Sequence, residues 1–379
     1  MATRRSLRST EEVKSFGLLL FLSAMYGIMS YVAYIIIHVS YVSPLGIDAP
    51  IDRFSEARAI EHVRHLSVDI DGRQEGKEGL KEAARYIKKE LEMIQARAGP
   101  GFRVEVEETL IAGSFNMMFL QRSISLGYRN HTNIIMRIHS SDSKDSDPFL
   151  LVNSHFDGPI GSPAAGDCGS CVASMLEMAR LIIDSNWIPP RPVIFLFNGA
   201  EELFLLGSHG FMTMHELADN IGASINIEAS GSGGIDLVCQ SGPGSWPSHV
   251  YAQSAVYPMA QSSAQDLFGI IPGDTDHRIF SQDYGDIPGL DIIFLIGGYF
   301  YHTSYDTLER LLPGSIQARG DNLLSLIKGF TNSPFLQSAK QRSITIVENG
   351  TDNGQAVFFD YMSWFMVCIF LSKQHDCIL

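Results

Sequence analysis

The chain has 379 residues and a formal net charge of -14. Its length allows a large hydrophobic core, whereas its acidic balance argues against nucleic acid or an anionic membrane surface as the main partner, because both require clustered basic residues. Its five cysteines are too few for a disulfide scaffold in a chain of this size.

An apolar segment over residues 16–37 is the first strong feature of the chain. It contains no charged residue and is long enough to cross a bilayer as a helix. A cleaved signal peptide would have an apolar core of only about 7–15 residues, so we expect a retained signal anchor over residues 16–38. Because basic residues cluster before this segment, the positive-inside rule predicts a cytosolic N-terminus over residues 1–15 and a lumenal domain beyond the anchor. Two glycosylation acceptors, Asn130 and Asn349, fit this orientation.

Helical and strand patterns alternate along the chain after the anchor. Helical patterns lie over residues 55–66, 80–94, 172–183 and 315–330, and strand patterns over residues 103–107 and 133–138. Four further apolar runs, bounded by Gly and polar residues, are typical of buried strands, over residues 150–154, 193–197, 223–227 and 291–296. A stretch rich in Gly, Pro and Asp over residues 261–280 predicts a surface loop.

This alternation predicts one α/β domain over residues 55–335. We expect a mixed, mainly parallel central sheet with helices on both faces, preceded by the transmembrane helix. A polar linker and an apolar tail would follow over residues 336–379, and the tail is too short to span a membrane.

Each of the four buried apolar runs is followed by potential metal ligands. They are His155 after the first run, Glu201 and Glu202 after the second, Glu228 after the third and His302 after the fourth. In parallel α/β sheets, ligands bind outside the carboxyl ends of the strands, so these side chains should meet at one edge. A mixture of imidazole and carboxylate ligands suits zinc, and the sequence therefore indicates a zinc hydrolase.

Five motifs, in this order, resemble the M28 family of zinc metallopeptidases, and within it the endoplasmic-reticulum metallopeptidase branch found in eukaryotes, plants included. They are His155-Phe-Asp157, Gly166-Asp167, Asn198-Gly-Ala-Glu201-Glu202 with Gly207-Ser-His-Gly-Phe211, Asn226-Ile-Glu228, and Tyr301-His302-Thr303-Ser-Tyr-Asp306-Thr307. The resemblance covers residues 55–330 and includes the anchor. Longer relatives continue into several membrane spans, so the chain is similar to a short form of them.

The resemblance implies a pair of zinc ions that share one carboxylate. His155, Asp167 and Glu228 would hold one zinc, and Asp167, Glu202 and His302 would hold the other. A shared carboxylate keeps two metals about 3.5–4 Å apart, a spacing that suits metal-assisted hydrolysis.

The resemblance also assigns two residues that act beside the metals. Glu201 would be the general base that takes a proton from the attacking water. Asp157 would hydrogen-bond the second ring nitrogen of His155 and so orient that ligand. The expected activity is that of a membrane-anchored, lumenal metallopeptidase of the endoplasmic reticulum, acting on peptides as an aminopeptidase and not on nucleic acid.

One departure from the family pattern leaves alternatives open. Many members follow the bridging Asp with a second Asp, whereas Cys168 stands here. A glutaminyl cyclase-like enzyme with a single zinc is therefore the second hypothesis, and an inactive peptidase-fold binding module is the third. The Cys168 and Cys171 pair could be half a zinc ribbon or a redox pair, but we expect ordinary packing. His209 and His215 are expected to be core or solvent histidines.

Overall fold

The computed structural model describes residues 2–70, 72–119, 122–268, 270, 274–342 and 356–370. Its helices are α1 (Ala2–Ile37), α2 (Glu56–Arg64), α3 (Glu78–Gln95), α4 (Cys171–Asp184), α5 (Leu206–Met214), α6 (Trp246–Ser254), α7 (Ser262–Phe268), α8 (Asp276–Arg278) and α9 (Ser315–Asn332). Its strands are β1 (Phe102–Phe119), β2 (Arg122–Ser140), β3 (Phe149–His155), β4 (Val193–Asn198), β5 (Ile221–Ala229), β6 (Leu237–Gly242), β7 (Gly289–Phe294), β8 (Ala356–Tyr361) and β9 (Phe365–Phe370).

A seven-stranded sheet organises the domain, with the strand order β1-β2-β4-β3-β5-β7-β6. The four central strands β4, β3, β5 and β7 are parallel, whereas β1, β2 and β6 pair antiparallel at the two sides. The predicted mixed, mainly parallel sheet is therefore confirmed. Because the central strands run in one direction, their carboxyl ends form a single edge, and the loops that follow them converge there.

Helices cover both faces of this sheet, as the sequence predicts. Successive strand residues point to opposite faces, so Leu150 and Val152 join the core that includes α2, α3, α4 and α9. Leu151 and Ile194 instead pack against α5 and the turn that follows α8. All of these side chains are fully buried, and the central strands have no solvent face, which explains their uninterrupted apolar runs.

From residue 16 onward, the N-terminal helix α1 is apolar, and most of its side chains are exposed until it reaches the domain. Within the described part of the chain, residues 10–37 are the one helical stretch long and apolar enough to cross a membrane. Directly after it, Val39 and Val42 are buried against Ile235 and Ala318. The packed domain thus begins at Val39, earlier than the predicted boundary at residue 55.

The connection between α1 and α2, residues 38–55, is held down by hydrogen bonds. Arg58 donates to the carbonyls of Ala49 and Arg53, at 2.9 and 2.7 Å. Arg180 donates to the carbonyl of Arg53 at 3.0 Å and also to that of Ile51. These guanidinium groups fasten the connecting segment to the domain.

Two stretches differ from their predicted structure. Residues 261–280 were expected to form a surface loop, but they contain α7 and α8, and Asp276 and His277 in α8 are buried. Residues 356–370, assigned to the linker and tail, form an antiparallel hairpin of β8 and β9. Two parts of the expected linker and tail lie outside the described residues. They are residues 343–355, which include Asn349, and residues 371–379.

Candidate metal centre

The carboxyl edge of the sheet brings all seven predicted site residues together. His155 is the last residue of β3, and Glu228 stands one residue before the end of β5. The remaining residues lie on the loops that follow the strands: Asp157 and Asp167 between β3 and α4, Glu201 and Glu202 between β4 and α5, and His302 after β7. His302 adopts a left-handed backbone with φ 57°, a conformation uncommon outside glycine that often marks functional sites.

Asp167 lies between the two imidazoles. Its Oδ1 is 3.3 Å from Nε2 of His155, and its Oδ2 is 3.0 Å from Nε2 of His302. Each imidazole also faces a second carboxylate, since His155 Nε2 lies 3.4 Å from Glu228 and His302 Nε2 lies 3.3 Å from Glu202. One carboxylate thus contacts both candidate ligand sets, the position that the resemblance implies for a shared bridging group.

The donor set fits a bound cation. Candidate ligand atoms of His155, Asp167 and Glu228 lie within 4.8 Å of one another, as do those of Asp167, Glu202 and His302. Buried Oε1 of Glu202 has no hydrogen-bond partner among the described residues. Nitrogen and oxygen donors at this spacing are typical of zinc, whose charge would compensate the clustered carboxylates.

The electrostatics of the cluster indicate the same need for positive charge. Burial, with the neighbouring Asp167 carboxylate, raises the pKa of Glu202 to about 9, and burial raises the pKa of Glu228 to about 7. Burial also acts to raise the pKa of Asp167, but hydrogen bonding to His155 and His302 outweighs it and leaves this pKa below its ordinary value. Because its pKa is lowered whereas those of Glu202 and Glu228 are raised, Asp167 is the one of these three carboxylates that suits a group shared by two cations.

Asp157 fixes both an imidazole and the loop that carries the two glutamates. Its carboxylate lies 3.3 Å from Nδ1 of His155, and its backbone carbonyl lies 3.2 Å from the same atom. The two carboxylate oxygens accept the backbone N–H groups of Glu201 and Glu202, both at 3.1 Å. A single buried side chain thus sets the orientation of His155 relative to the Glu pair.

Glu201 faces the centre from the side of His155 and Glu202. Candidate ligand atoms of these three residues lie within 4.8 Å of one another. Burial raises the pKa of Glu201 well above its ordinary value, and the neighbouring Glu228 and Glu202 carboxylates add to this. The ring of Tyr301 stacks on His302 at a centroid distance of 3.8 Å.

Asp306 positions the loop of the shared carboxylate. Its two oxygens accept the backbone N–H groups of Gly166 and Asp167, at 2.8 and 3.0 Å. A Cβ at Gly166 would lie only 2.6 Å from the carbonyl oxygen of Gly231, so this close approach requires glycine. The sequence contained a signal for Asp306, which belongs to the motif around His302, but gave it no role.

Two buried arginines support the centre, and sequence reasoning missed both. Arg73 donates to the carbonyls of Phe156 and Ala164, at 2.9 and 2.8 Å, on either side of the loop that carries Asp157. Arg319 donates to the carbonyl of Glu228 at 2.8 Å. Neither has a local sequence signal, because a single basic residue in a polar or helical stretch normally indicates an exposed surface.

A buried polar network lies beneath the ligands and was also missed. Asp276 accepts hydrogen bonds from the side-chain amides of Asn153 and Asn198, at 2.9 and 2.6 Å. Asn226 donates to Glu228 at 3.3 Å and to Asp291 at 3.0 Å. Asparagines inside otherwise apolar strands were the available signal, since a buried amide requires partners.

The cysteine pair corrects one expectation. Cys168 and Cys171 are joined by a disulfide, so ordinary packing of two thiols was wrong. His209 is a buried core histidine that stacks on Phe115, as expected. His215 contacts Glu107 at the domain surface and takes no part in the centre.

Comparison with known proteins agrees with this geometry. The sequence profile of peptidase family M28 matches residues 133–327. Endoplasmic reticulum metallopeptidase 1 of Homo sapiens is 39% identical over 285 residues, which is 74% of this chain and 30% of that protein. The chain thus spans about a third of the length of this curated relative.

Solved structures share the fold at low sequence identity. A zinc aminopeptidase from Bacillus subtilis aligns with a TM-score of 0.55 at 16% identity, covering 75% of this chain and 98% of that one. Glutaminyl cyclase of Porphyromonas gingivalis aligns with a TM-score of 0.51 at 19% identity, covering 72% and 98%. The family match spans half of the chain and contains all seven predicted site residues. The supporting residue Arg73 lies before the matched region. The chain is therefore an M28 peptidase of the endoplasmic reticulum metallopeptidase 1-like branch.

Proposed function

We propose that this chain is a zinc-dependent aminopeptidase domain, anchored in the endoplasmic reticulum membrane, that hydrolyses peptide bonds in the lumen. The observation that carries the proposal is the position of Asp167 between His155 and His302, with a complete carboxylate set around them. An inactive relative has no need to retain five convergent candidate ligands and a half-buried base beside them, so this geometry favours an enzyme over a binding module.

Each residue of the centre has a separate task in this proposal. His155, Asp167 and Glu228 would hold one zinc, and Asp167, Glu202 and His302 would hold a second. Bound zinc supplies a Lewis acid that activates water and polarises the peptide carbonyl.

The remaining groups act on protons and on orientation. Glu201 accepts the proton of the attacking water and delivers it to the leaving amine. Asp157 keeps Nδ1 of His155 occupied, so that Nε2 is directed at the centre. Arg319 and Asp306 hold the backbone of Glu228 and Asp167.

A glutaminyl cyclase-like activity is the second candidate. Cys168 stands where many relatives have a second Asp, and a cyclase is among the structures that share the fold. Because that likeness is below 25% identity, it supports the fold alone. The complete second set of Asp167, Glu202 and His302 favours the peptidase with two zinc ions.

Metal counting separates these two functions. We expect the purified full-length chain to bind two zinc ions, because both ligand sets are complete. Asp167→Asn should lower occupancy at both positions, whereas His302→Ala should empty chiefly one. Zinc analysis by mass spectrometry measures this, together with turnover of peptides that have free or acetylated N-termini.

The outcomes of that experiment are distinct. Cleavage only of peptides with a free N-terminus supports an aminopeptidase. Saturation at one zinc, with cyclisation of peptides that begin with glutamine, would instead establish the cyclase. His215→Ala, which changes a half-buried histidine outside the centre, is the matched control and should retain both zinc ions.

Several features support a lumenal domain. Basic residues precede the apolar segment of α1, and relatives named endoplasmic reticulum metallopeptidase 1 suggest the compartment. The buried disulfide of Cys168 and Cys171 fits an oxidising environment such as the lumen. Asn130 is exposed at a β-bulge of β2 with φ 62°, a backbone conformation that Asn tolerates.

Glycosylation provides the test of orientation. We expect a glycosidase-sensitive mass shift that disappears in the double substitution Thr132→Val and Thr351→Val, which removes both acceptor motifs while keeping Asn130 in its bulge. Thr132→Ser with Thr351→Ser retains the motifs and is the control. An unmodified chain whose domain is digested by protease added from the cytosolic side would show the reverse orientation.

A further inference from the structure

The hairpin of β8 and β9 has an exposed aromatic tip. The exposed fractions of its large side chains are 52% for Tyr361, 45% for Met362, 80% for Trp364 and 46% for Phe365. Asp360 is the one residue between 356 and 370 that is ionised at neutral pH, and its carboxylate accepts the backbone N–H groups of Ala260 and Ser363. A neutral, aromatic protrusion of this kind is unfavourable in water and indicates a partner.

The base of the hairpin is fixed to the domain. Phe358 is 2% exposed and belongs to the main core. The backbone N–H of Asp360 donates to the carbonyl of Ala260 at 3.0 Å, and Phe359 forms an isolated bridge with Gln261. The exposed tip therefore keeps a defined position relative to the rest of the domain.

That position is beside the end of the proposed membrane-spanning helix. The side chain of Ser363 lies next to the hydroxyl of Tyr41, four residues beyond the end of α1. Tyr41 also packs edge-on against Tyr257, with ring centroids 5.9 Å apart. The tip and the exit of the helix thus share one side of the domain.

Dimensions place this side at the height of the lipid headgroups. The apolar part of α1, residues 16–37, rises about 33 Å as a helix, close to the roughly 30 Å thickness of the hydrocarbon core. Val39 has a left-handed backbone with φ 54° and ends the helix, so Tyr41 lies at most about 14 Å beyond Ile37. The headgroup layer is about 5–8 Å thick on each side, so Tyr41 and its neighbour Ser363 lie in it or close to it.

We propose that the hairpin tip, residues 361–365, is a second membrane contact that inserts its aromatic side chains into the headgroup layer of the leaflet from which α1 emerges. Trp and Tyr are enriched at this depth because their rings combine apolar surface with a polar group. The tip carries no basic residue, so the contact needs no anionic lipid, unlike a polybasic anchor. With α1, the tip gives the domain two attachments and one orientation on the bilayer.

Tryptophan fluorescence of the full-length chain in phosphatidylcholine vesicles tests this contact. The chain has three tryptophans, and the difference between the native chain and Trp364→Phe isolates the emission of Trp364. We expect lipids brominated near the headgroup to quench that emission by at least twofold, aqueous iodide to quench it little, and added anionic lipid to change neither result.

A matched control uses the opposite edge of the sheet. Leu110 in β1 is 62% exposed, and β1 and β6 form the two edges. A tryptophan introduced by Leu110→Trp in the Trp364→Phe background should be quenched by iodide and not by brominated lipid. The hairpin packs against the β6 side, through α6 and α7.

Two results would overturn the proposal. Trp364 emission that is quenched by iodide but not by brominated lipid would mean that the tip faces water. Emission shielded from both quenchers would mean that protein, such as a second copy of the chain, covers the tip. The proposal rests on the proposed anchor, and alkaline carbonate extraction separates the two, because a failed anchor releases the chain whereas a failed tip contact does not.

Discussion

Replacing Glu201 by Gln is expected to remove most peptidase turnover while the chain stays folded and keeps its zinc. Gln preserves the size and most of the hydrogen bonding of the side chain, but it cannot accept a proton from water. A positioned general base contributes about 10²–10⁴-fold, and we expect a loss of that order. Zinc content and turnover of one peptide substrate, measured on the same preparation, check the result.

The neighbouring residue provides the matched comparison. Glu202 lies 3.3 Å from His302 and is proposed as a ligand, so Glu202→Gln should lower zinc content, with turnover partly restored by excess zinc. Both substitutions remove one carboxylate from the same loop, and the two backbone N–H groups remain bound to Asp157. Full activity of Glu201→Gln, or loss of zinc from that variant alone, would reverse the assignment of base and ligand.

Arg319→Met is expected to lower the free energy of unfolding by about 3–5 kcal/mol, the usual cost of breaking a buried ion pair from one side. Arg319 is fully buried, its guanidinium pairs with Asp236 at 2.6 Å, and it stacks on Phe294 at 3.5 Å from the ring centroid. Removal leaves the Asp236 carboxylate buried without its cation. It also frees the carbonyl of Glu228, so zinc affinity should fall as well.

Denaturant unfolding in detergent, followed by circular dichroism, measures the first effect, and zinc titration measures the second. Arg319→Lys keeps the charge but loses the planar fork, and we expect it to recover only part of the stability. The double substitution Arg319→Met with Asp236→Leu removes both charges and should be more stable than Arg319→Met alone. A single variant as stable as the native chain would contradict the structural role given to this ion pair.

The positions of the candidate ligands could be predicted from sequence because strand direction fixes them. Potential ligands stand just beyond the ends of four apolar runs. If these runs pair as parallel strands, their carboxyl ends meet at one edge of the sheet, and the ligands meet there too. The resemblance then separated Glu201 from Glu202, which the patterns alone could not do. The sheet, the helices on both faces and the site thus followed from local signals that agree with each other.

The supporting residues could not be predicted, because their partners are distant in sequence. Arg319 and Asp236 are separated by 83 positions, and α9 carries an amphipathic pattern in which an arginine normally faces water. Asp276 lies in α8, which has only three residues and so no helical period to detect. The disulfide of Cys168 and Cys171 was missed because a spacing of three positions is compatible with free thiols, metal binding and a bond alike.

The C-terminal hairpin was missed for a different reason. Residues 361–371 are apolar throughout, so the alternation that marks a half-buried strand is absent and the segment resembles a shortened membrane span. In the structure, Phe358 faces the core while Trp364 is 80% exposed. Strand recognition depends on the alternation of apolar and polar residues. Because the face of the hairpin that points away from the core is also aromatic, this alternation is absent from the sequence.

The fastening of residues 38–55 bears on how a soluble form of the domain can be released. Val39 and Val42 are part of the packed interior, and the backbone N–H of Leu45 donates to a side chain of α9 at 3.0 Å. With α1 as the proposed anchor, a domain cut near Asp48 would stay attached to α1 through these contacts. Release from the proposed anchor therefore requires cleavage before Val39, at the end of α1.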